Sequence, residues 1–342
     1  MHTTKTTRNV NVGRIRSCPQ AQSRVLRWMP VLALCIATSA WGQTFTISKG
    51  PHQPPNASMA AASANSKVST ADNAHYKFIT IDTSDSPYAV ASAINDSRIV
   101  TGYYQDSTSN YHGFVWQDGA LETVDYPGAV NTILGGVNNL GLTIGYYGDG
   151  TTNHTATYSV STGTWSALPD IPNYSENDGY CINDAGFAIG NAFEGSTSVA
   201  WIWDPSKRSY SFFVVPGAAQ YSTSPSCIND KNQVAGYYAD ASGNYHGFIK
   251  EYGTYTRVNV PKAPDTYPDG INNGGIIQGQ IFNASFMAEG WVGTPGGVFT
   301  IVNYPGAKAT AIVGINDRGD LCGGYGPAPA VAQKAFVAFL QQ

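Results

Sequence analysis

Short apolar segments recur in sets of four along the chain from His75 onwards. In the first set they are residues 91–95, 99–104, 112–116 and 121–125, rich in β-branched and aromatic residues and bounded by Gly, Asn, Asp or Pro. Such segments are typical of β-strands. No part of the chain after residue 42 has the apolar spacing of an amphipathic helix, so the pattern predicts essentially no helix.

One motif marks every set: a small residue, a branched apolar residue, Asn, and then Asn or Asp. It occurs six times and defines units one to six, whose asparagines are Asn95, Asn138, Asn183, Asn229, Asn272 and Asn316. The spacing of 43–46 residues indicates a repeat architecture. Four short antiparallel strands in each unit are typical of a β-propeller blade, so six units predict six blades.

The ends of the repeat region predict how the ring closes. Residues 78–82 have the pattern of a fourth strand, whereas residues 335–339 have that of a third strand with no fourth strand after it. The motif strand, rich in small residues, is expected to lie innermost, at the crowded axis. The predicted fold is all-β: a six-bladed β-propeller of four-stranded antiparallel blades, closed by the N-terminal strand pairing into the last blade.

Residues 1–42 have the features of a signal peptide. Six basic residues and no acidic residue precede an apolar run at residues 28–40, which is too short to span a bilayer. Cleavage is expected before Gln43, with cleavage after Ala40 as the alternative. Residues 43–74, rich in Ser, Ala, Pro, Asn and Thr, are predicted to be a flexible linker, and residues 75–342 the propeller. The protein is therefore expected to be secreted or periplasmic.

The charge of the exported chain limits its partners. Residues 1–42 hold six of the 19 basic residues and none of the 23 acidic residues, so their removal leaves a net charge near −10. Nucleic acids and anionic membranes attract basic surfaces, so neither is an expected partner, and no membrane span is predicted.

Three cysteines remain after residue 42, which allows at most one intramolecular disulfide. Cys181 and Cys227 both occupy the small-residue position two before the repeated Asn, and Cys322 lies elsewhere in its unit. An exported protein can form disulfides. Small buried hydrophobic residues are nevertheless the favoured interpretation of Cys181 and Cys227, ahead of a bridge between them.

Further motifs accompany the repeated Asn: Gly-Tyr-Tyr, His-Gly-Phe at residues 112–114 and 246–248, Lys-Ala-Phe at 334–336, and Asp-Tyr-Pro-Gly-Ala at 125–129. Together they resemble the extracellular HAF-repeat proteins of bacteria, named after a His-Ala-Phe tripeptide. The resemblance covers about residues 76–340 and is weak in units three and five, where the His is replaced and the Tyr pair is lost. It implies an exported repeat protein with no established activity.

Histidines and aspartates recur with the repeat. His112, His154 and His246 share one repeat position, so they are spread around the ring and are expected to bridge turns rather than to form a metal site. Asp106, Asp149 and Asp240 head polar loops, where turn closure is favoured over calcium binding because the alternating ligands of a calcium loop are absent. No metal or cofactor is predicted.

Catalytic motifs are not evident. A sialidase would need several arginines to hold a carboxylate, but after residue 42 the chain has only Arg98, Arg208, Arg257 and Arg318. The five glutamates do not recur at an axial position, and no nucleophile elbow, zinc-protease or phosphate-loop motif is present. No catalytic residue is therefore assigned. A hydrolase or lyase acting on an extracellular polysaccharide at the central channel is kept as the alternative function.

A binding or interaction module is the favoured function. Loops between second and third strands and loops between units must emerge on one face, which also collects Tyr174, Tyr221 and Tyr267. The residues predicted to bind on this face are Tyr104, Tyr126, Tyr147, Tyr238, Tyr304, Asp106, Asp149 and Asp240. Because tyrosine combines a flat apolar ring with one polar atom, the expected ligand is an extracellular glycan or protein. The alternative role of these tyrosines is to fill space between blades.

Overall fold

The computed structural model describes residues 59–60, 66–69, 73–83, 86–327 and 333–341. The predicted signal peptide lies outside these ranges. Asn73–His75 form a short 3₁₀ helix, and all other regular structure in the described ranges is β-strand, as the sequence pattern predicted. None of the described helices is long and apolar enough to cross a membrane.

The strands are numbered in chain order. The N-terminal strands are β1 (Met59–Ala60), β2 (Lys67–Ser69) and β3 (Tyr76–Ile81). The inner strands of units one to six are β4 (Ala89–Ile94), β8 (Asn131–Val137), β12 (Glu176–Ile182), β16 (Ser224–Ile228), β20 (Tyr267–Ile271) and β24 (Ala309–Ile315). The second strands are β5 (Val100–Gln105), β9 (Leu142–Gly148), β13 (Ala188–Glu194), β17 (Val234–Ala239), β21 (Ile277–Phe282) and β25 (Leu321–Gly326). The third strands are β6 (Tyr111–Gln117), β10 (Asn153–Ser159), β14 (Thr197–Asp204), β18 (Tyr245–Glu251), β22 (Ala288–Gly293) and β26 (Lys334–Leu340). The fourth strands of units one to five are β7 (Ala120–Thr123), β11 (Thr164–Ala167), β15 (Ser209–Phe213), β19 (Thr254–Val258) and β23 (Val298–Ile301).

The strands of each unit pair in antiparallel order, and the inner strands of successive units contact one another, with β24 also contacting β4. This is a β-propeller arrangement with blades of antiparallel sheet. The described strands form five hydrogen-bonded sheets, four of four or five strands and one of eight, instead of the six separate sheets expected from the repeat. The physical reason is one parallel pair between Asn153 and Glu176, which joins the strands of units two and three.

The N-terminal strand closes the ring as predicted. Strand β3 pairs antiparallel with β26, with Ile81 opposite Ala335 and Phe78 opposite Ala338. Ile81 and Val337 then pack with Val100 of unit one in a shared apolar cluster. Strands β3 and β26 therefore belong to one sheet, and both contribute to its contact with the first unit.

Two further strands lie in the segment predicted to be a flexible linker. Strand β1 pairs parallel with β19 of unit four, and β2 pairs parallel with β23 of unit five. The described residues before β3 are therefore added to the outer edges of two sheets, which the composition of residues 43–74 did not indicate. Added strands occupy edges that would otherwise present unpaired backbone groups.

The repeated asparagines form a closed circuit of hydrogen bonds at the axis. The side-chain Nδ2 of Asn95 donates to the backbone oxygen of Asn138 at 2.9 Å, each later Asn donates to the next, and Asn316 returns to Asn95 at 3.0 Å. Their Oδ1 atoms accept N–H groups of the hairpin that follows. The asparagines are 3–5% exposed, so their recurrence is explained by the joining of neighbouring units.

Small residues precede this circuit because the inner strands approach closely, as expected. A side chain on Gly136 would place its Cβ 2.6 Å from the Cα of Cys181 in the next unit. Cys181 and Cys227 occupy the same position in adjacent units and form a disulfide, with their Cα atoms 4.9 Å apart. The prediction of two unbridged hydrophobic cysteines is therefore wrong, because the ring brings equivalent positions of neighbouring units into contact. Cys322 is buried and free.

Candidate functional site

The aspartates of the upper loops close turns, as predicted. The upper end of the molecule is the end that holds the loops between second and third strands. Asp106 Oδ1 accepts the N–H groups of Thr108 at 2.8 Å and Asn110 at 2.9 Å. Asp149 and Asp240 accept equivalent bonds in units two and four. The hydrogen bond from Asn110, with further bonds from Thr108 and His112, lowers the pKa of Asp106 to about 2 despite partial desolvation.

The recurring histidines bridge two polar groups within their own unit. His112 contacts Asp125 through Nδ1 at 2.7 Å and Asp106 through Nε2 at 3.3 Å. His246 occupies the same place against Asn259 and Asp240. His154 contacts Asp170 through Nδ1, but its Nε2 contacts the Thr152 hydroxyl at 2.9 Å and lies 3.8 Å from Asp149. Burial lowers the pKa of His112, but the hydrogen bonds and charges of Asp125 and Asp106 outweigh it and raise the pKa overall. The predicted turn-bridging role is therefore confirmed for this position.

The predicted tyrosines do not form one surface. Tyr126 stacks on Tyr147 of the next unit with ring centroids 3.5 Å apart, and Tyr304 stacks on Tyr325 at 3.6 Å. Tyr104, Tyr147 and Tyr238 each lie against the histidine of their own unit. Tyr238 is fully buried, so the expectation that it presents its ring to a ligand is corrected. The eight predicted residues thus occupy repeated, separate positions around the ring, and the tyrosines pack largely between units.

A different set of residues lines the axis. Each inner strand has a β-bulge three residues before the repeated Asn, and the residue before the bulge is buried while the bulge residue is partly exposed. The bulge residues are Ser92, Gly135, Tyr180, Ser226, Asp269 and Val313. A bulge re-aims its side chain and is common beside functional sites. These positions therefore mark an axial channel above the asparagine circuit.

Units three to five place polar side chains on and behind these inner strands, hereafter the axial cluster. Its members are Asp178, Tyr180, Asn191, Tyr237, Asp269 and Gln280. Asp178 pairs across the sheet with Asn191, and both are buried. Gln280 is buried and donates through Nε2 to Asp269 Oδ2 at 3.3 Å, so its amide reaches the bulge residue of unit five. On the opposite side of the axis, units six and one present the bulge residues Val313 and Ser92.

Both carboxyl groups of the axial cluster favour the protonated form. Burial raises the pKa of Asp178 well above its ordinary value; Glu176 adds to the rise, while the hydrogen bond from Asn153 opposes it. Burial likewise raises the pKa of Asp269, opposed by its bond from Gln280. Among the described residues no ion pair involves either carboxyl group. Unpaired buried carboxyl groups are uncommon unless a function requires them.

Phenol groups connect the two carboxyl groups electrostatically. Burial is the main cause of the raised pKa of Tyr180, and the charges of Asp178 and Tyr237 add to it. Burial also raises the pKa of Tyr237, with Asp269 contributing. The charges of Asp178 and Asp269 therefore each act on a phenol group of the axial cluster.

Several acceptor atoms of this region have no protein partner. Asn191 Oδ1 and Gln280 Oε1 have no hydrogen bond, and solvent does not replace it because each residue is only 1% exposed. Groups of three or more residues arranged to hold a metal ion are not found in the described part of the chain. An unsatisfied buried oxygen costs roughly 1–3 kcal/mol, so its presence at the axis needs an explanation.

Sequence reasoning missed the axial cluster, although a signal for it was available. Asp178 and Asp269 lie on inner strands where the other units have small, apolar or hydroxyl-bearing residues, and Asn191 and Gln280 replace the first tyrosine of the Gly-Tyr-Tyr motif. The same two units resemble the repeat least. Position-by-position comparison of the units would have identified these residues as departures from the repeat.

Comparison with solved structures supports the fold. TolB from Acinetobacter baumannii aligns with a TM-score of 0.50 at 12% identity, covering 75% of this chain and 55% of TolB, so this chain matches about half of TolB's length. A gluconolactonase from Xanthomonas campestris aligns at 0.48 with 12% identity, covering 78% and 89% of the two chains. The SapL1 lectin in complex with alpha methyl fucoside aligns at 0.47 with 11% identity, covering 72% and 91%. No protein-family model and no curated protein sequence matches this chain. The comparison with TolB supports a shared β-propeller fold and carries no function.

Proposed function

We propose that this protein is an exported binding module of the HAF-repeat type whose ligand site is the axial channel at its upper end. The observation that supports the proposal best is the axial cluster. In it a buried and a partly exposed carboxyl group, neither with an ion pair among the described residues, accompany buried amide oxygens without a protein partner. A concave site with a few convergent polar groups and perturbed carboxyl groups is the usual form of a ligand site.

The proposed architecture is a ring of six blades. The eight-stranded sheet counts as two blades, because its halves are antiparallel sets of four strands joined by the single pair Asn153–Glu176. Six asparagines complete one circuit of hydrogen bonds, which supports the same count. In this architecture the upper loops surround the axis.

Export is proposed from the N-terminal sequence and is consistent with the disulfide between Cys181 and Cys227. The location would be secreted or periplasmic. The proposed partner is an extracellular small molecule, or the end of a glycan or a protein that reaches the channel, and the oligomeric state is not part of the proposal.

A library of metabolites and glycans screened by thermal shift tests the proposed site. At least one compound should raise the melting temperature of the wild type and lose this effect in the double variant Asp178→Asn/Asp269→Asn. Asp118→Asn is the control for an Asp-to-Asn change away from the axis, because this exposed turn residue has φ of 52°, which Asn tolerates. Ligands unaffected by the axial variant but lost after Tyr126→Ala and Tyr304→Ala would place binding at these tyrosines and refute the axial site.

A hydrolase or lyase is the second candidate function, favoured by one observation. Asp178 has a raised pKa beside Glu176, and a protonated carboxyl group near a second carboxyl group is the arrangement of an acid catalyst and its partner. Release of reducing ends or unsaturated products from a polysaccharide panel would support it. The activity should then fall at least about 100-fold in Asp178→Asn, as expected for loss of a general acid; products formed equally by this variant would exclude the assignment.

A further inference from the structure

Two amide oxygens of the axial cluster are acceptors without a protein partner. Asn191 Nδ2 already donates to Ser198 Oγ at 2.9 Å and to the backbone oxygen of Thr223 at 3.1 Å, while Oδ1 of the same side chain has no partner. Gln280 Nε2 donates to Asp269, and Gln280 Oε1 is likewise unpartnered. A ligand that satisfies these atoms must therefore bring hydrogen-bond donors.

The carboxyl groups of the cluster also lack a partner of opposite charge for their ionised forms. Asp178 and Asp269 form no ion pair in the described part of the chain, and their hydrogen-bond donors are the neutral amides of Asn153 and Gln280. A buried carboxylate is costly unless it is paired, because the charge has lost its hydration. A ligand that carries a positive charge would provide the missing partner.

Aromatic rings complete the environment. Tyr180 is a bulge residue of the inner strand of unit three, and Tyr237 pairs with Ser224 on the inner strand of unit four. The faces of aromatic rings attract cations, with about 0.5–2 kcal/mol for each favourable contact. The carboxyl groups, amide oxygens and aromatic rings of the axial cluster thus share a preference for the same kind of group.

We infer that the axial cluster binds a small organic cation that carries N–H donors, an ammonium or a guanidinium group, with Asp178 and Asp269 as its counter-charges. The inference rests on the proposed function and adds the class of ligand. A neutral sugar would supply donors but would leave both carboxyl groups without a counter-charge, and a quaternary ammonium would supply charge but no N–H group for Asn191 and Gln280.

Calorimetry with a matched pair of probes tests the inference. The cation is 1,4-diaminobutane, and its uncharged counterpart is 1,4-butanediol, which has the same length and hydroxyl groups in place of the ammonium groups. The diamine should bind and the diol should not. Asp178→Asn and Asp269→Asn should each weaken diamine binding at least about tenfold, which corresponds to about 1.4 kcal/mol, whereas Asp118→Asn should leave it unchanged.

Proton release provides a second readout that surface attraction would not produce. Because burial raises the pKa of Asp178 and of Asp269, a bound cation should favour their ionised forms and release protons into the buffer. The apparent binding enthalpy should therefore differ between two buffers of unequal ionisation enthalpy, and the difference should shrink in both Asn variants. Equal enthalpies in both buffers would contradict the role of these carboxyl groups.

The outcomes separate failure of the inference from failure of the proposed function. If methyl glycosides or the diol bind, with affinity lost in the axial variants, while the diamine does not bind, the cation inference is wrong and the axial site stands. Diamine binding that is equal in wild type and both axial variants would also refute the inference, since the attraction would then arise elsewhere on an acidic surface. If neither the probes nor the full compound library bind in a manner sensitive to the axial variants, both proposals fail. Thermal unfolding of each variant establishes that it is folded.

Discussion

Units one, two and four differ from units three and five in what their repeated positions contain. The first group keeps the histidine that bridges the upper turn and the tyrosine after the glycine of the second strand. The second group has Asn191 and Gln280 in place of that tyrosine, together with Asp178 and Asp269 on the inner strands. Both groups form four antiparallel strands and contribute equally to the asparagine circuit.

The difference shows that residues shared by all units and residues that differ between units have different roles in a repeat protein. Residues common to the units are explained by packing and hydrogen bonding, since the same contacts must form around the ring. Asp178, Asn191, Asp269 and Gln280 depart from the repeat without damage to the strands, and all four belong to the axial cluster. In this molecule the least regular units are therefore the best candidates for function.

Removal of a circuit asparagine should have the largest effect and should not depend on which group of units is changed. Asn138→Ala in unit two and Asn183→Ala in unit three each leave a neighbouring carbonyl and a hairpin N–H without partners. Each should lower the free energy of unfolding by about 2–4 kcal/mol, measured by urea denaturation.

Leu140→Ala provides the control for this measurement, because Leu140 lies in the same hairpin as Asn138 and is 72% exposed. It should change the stability by less than about 0.5 kcal/mol. A decrease in the free energy of unfolding that is confined to the unit-two variant would mean that unit three is joined to the ring in another way. The two groups of units would then not share the same structural role of the asparagine.

Asp178→Asn should stabilise the protein at neutral and alkaline pH. The pKa of Asp178 is raised in the folded state, so its contribution favours folding most below the ordinary value of 3.8 and is lost as the pH rises through the raised pKa. The neutral amide removes this loss, and a gain of about 1–3 kcal/mol is expected at pH 8. Urea denaturation at pH 5 and pH 8 measures it.

Asp118→Asn, which removes an exposed charge, should leave the pH dependence of stability unchanged. A loss of stability in Asp178→Asn at pH 8 would show that the ionised carboxylate is satisfied in the folded protein. Asp178 would then have a structural role, like the residues that the regular units share.

Asp106→Ala should have the smallest effect, confined to one loop of a regular unit. Because the pKa of Asp106 is lowered to about 2, its contribution is present above 3.8 and is lost as the pH falls towards 2. Amide hydrogen exchange at Thr108 and Asn110 should become faster in the variant at pH 6, with little change in global stability. Altered ligand binding at the axis would indicate instead that the turns contribute to the site.

Much of the fold could be predicted because the same strand pattern occurs in six units of the sequence. Short apolar segments bounded by turn residues located the strands. The strand predicted at residues 78–82 has no partner in its own unit, which identified residues 335–339 as its partner, and the pairing confirms this. The parallel additions of β1 and β2 could not be foreseen, since short edge strands depend on backbone hydrogen bonds rather than on side-chain pattern.

The candidate site was harder to predict, for physical reasons that two residues illustrate. Tyr238 has the same motif context as Tyr104, yet it is completely buried, because burial depends on the neighbouring unit and not on the motif. Asp269 is a bulge residue, and a bulge changes the direction of a side chain without any change in local composition. Both the burial of Tyr238 and the direction of the Asp269 side chain depend on residues that are distant in the sequence.

The pairing of β3 with β26 also has a consequence for biosynthesis. The last strand of the described chain to emerge from the ribosome is the one that β3 requires. A product truncated before Lys334 would expose the edge of β3 and remove Ala335 and Val337 from the apolar cluster shared with unit one. Such fragments would be open to proteolysis and to association through the bare edge. Ring closure thus distinguishes complete translation products from incomplete ones.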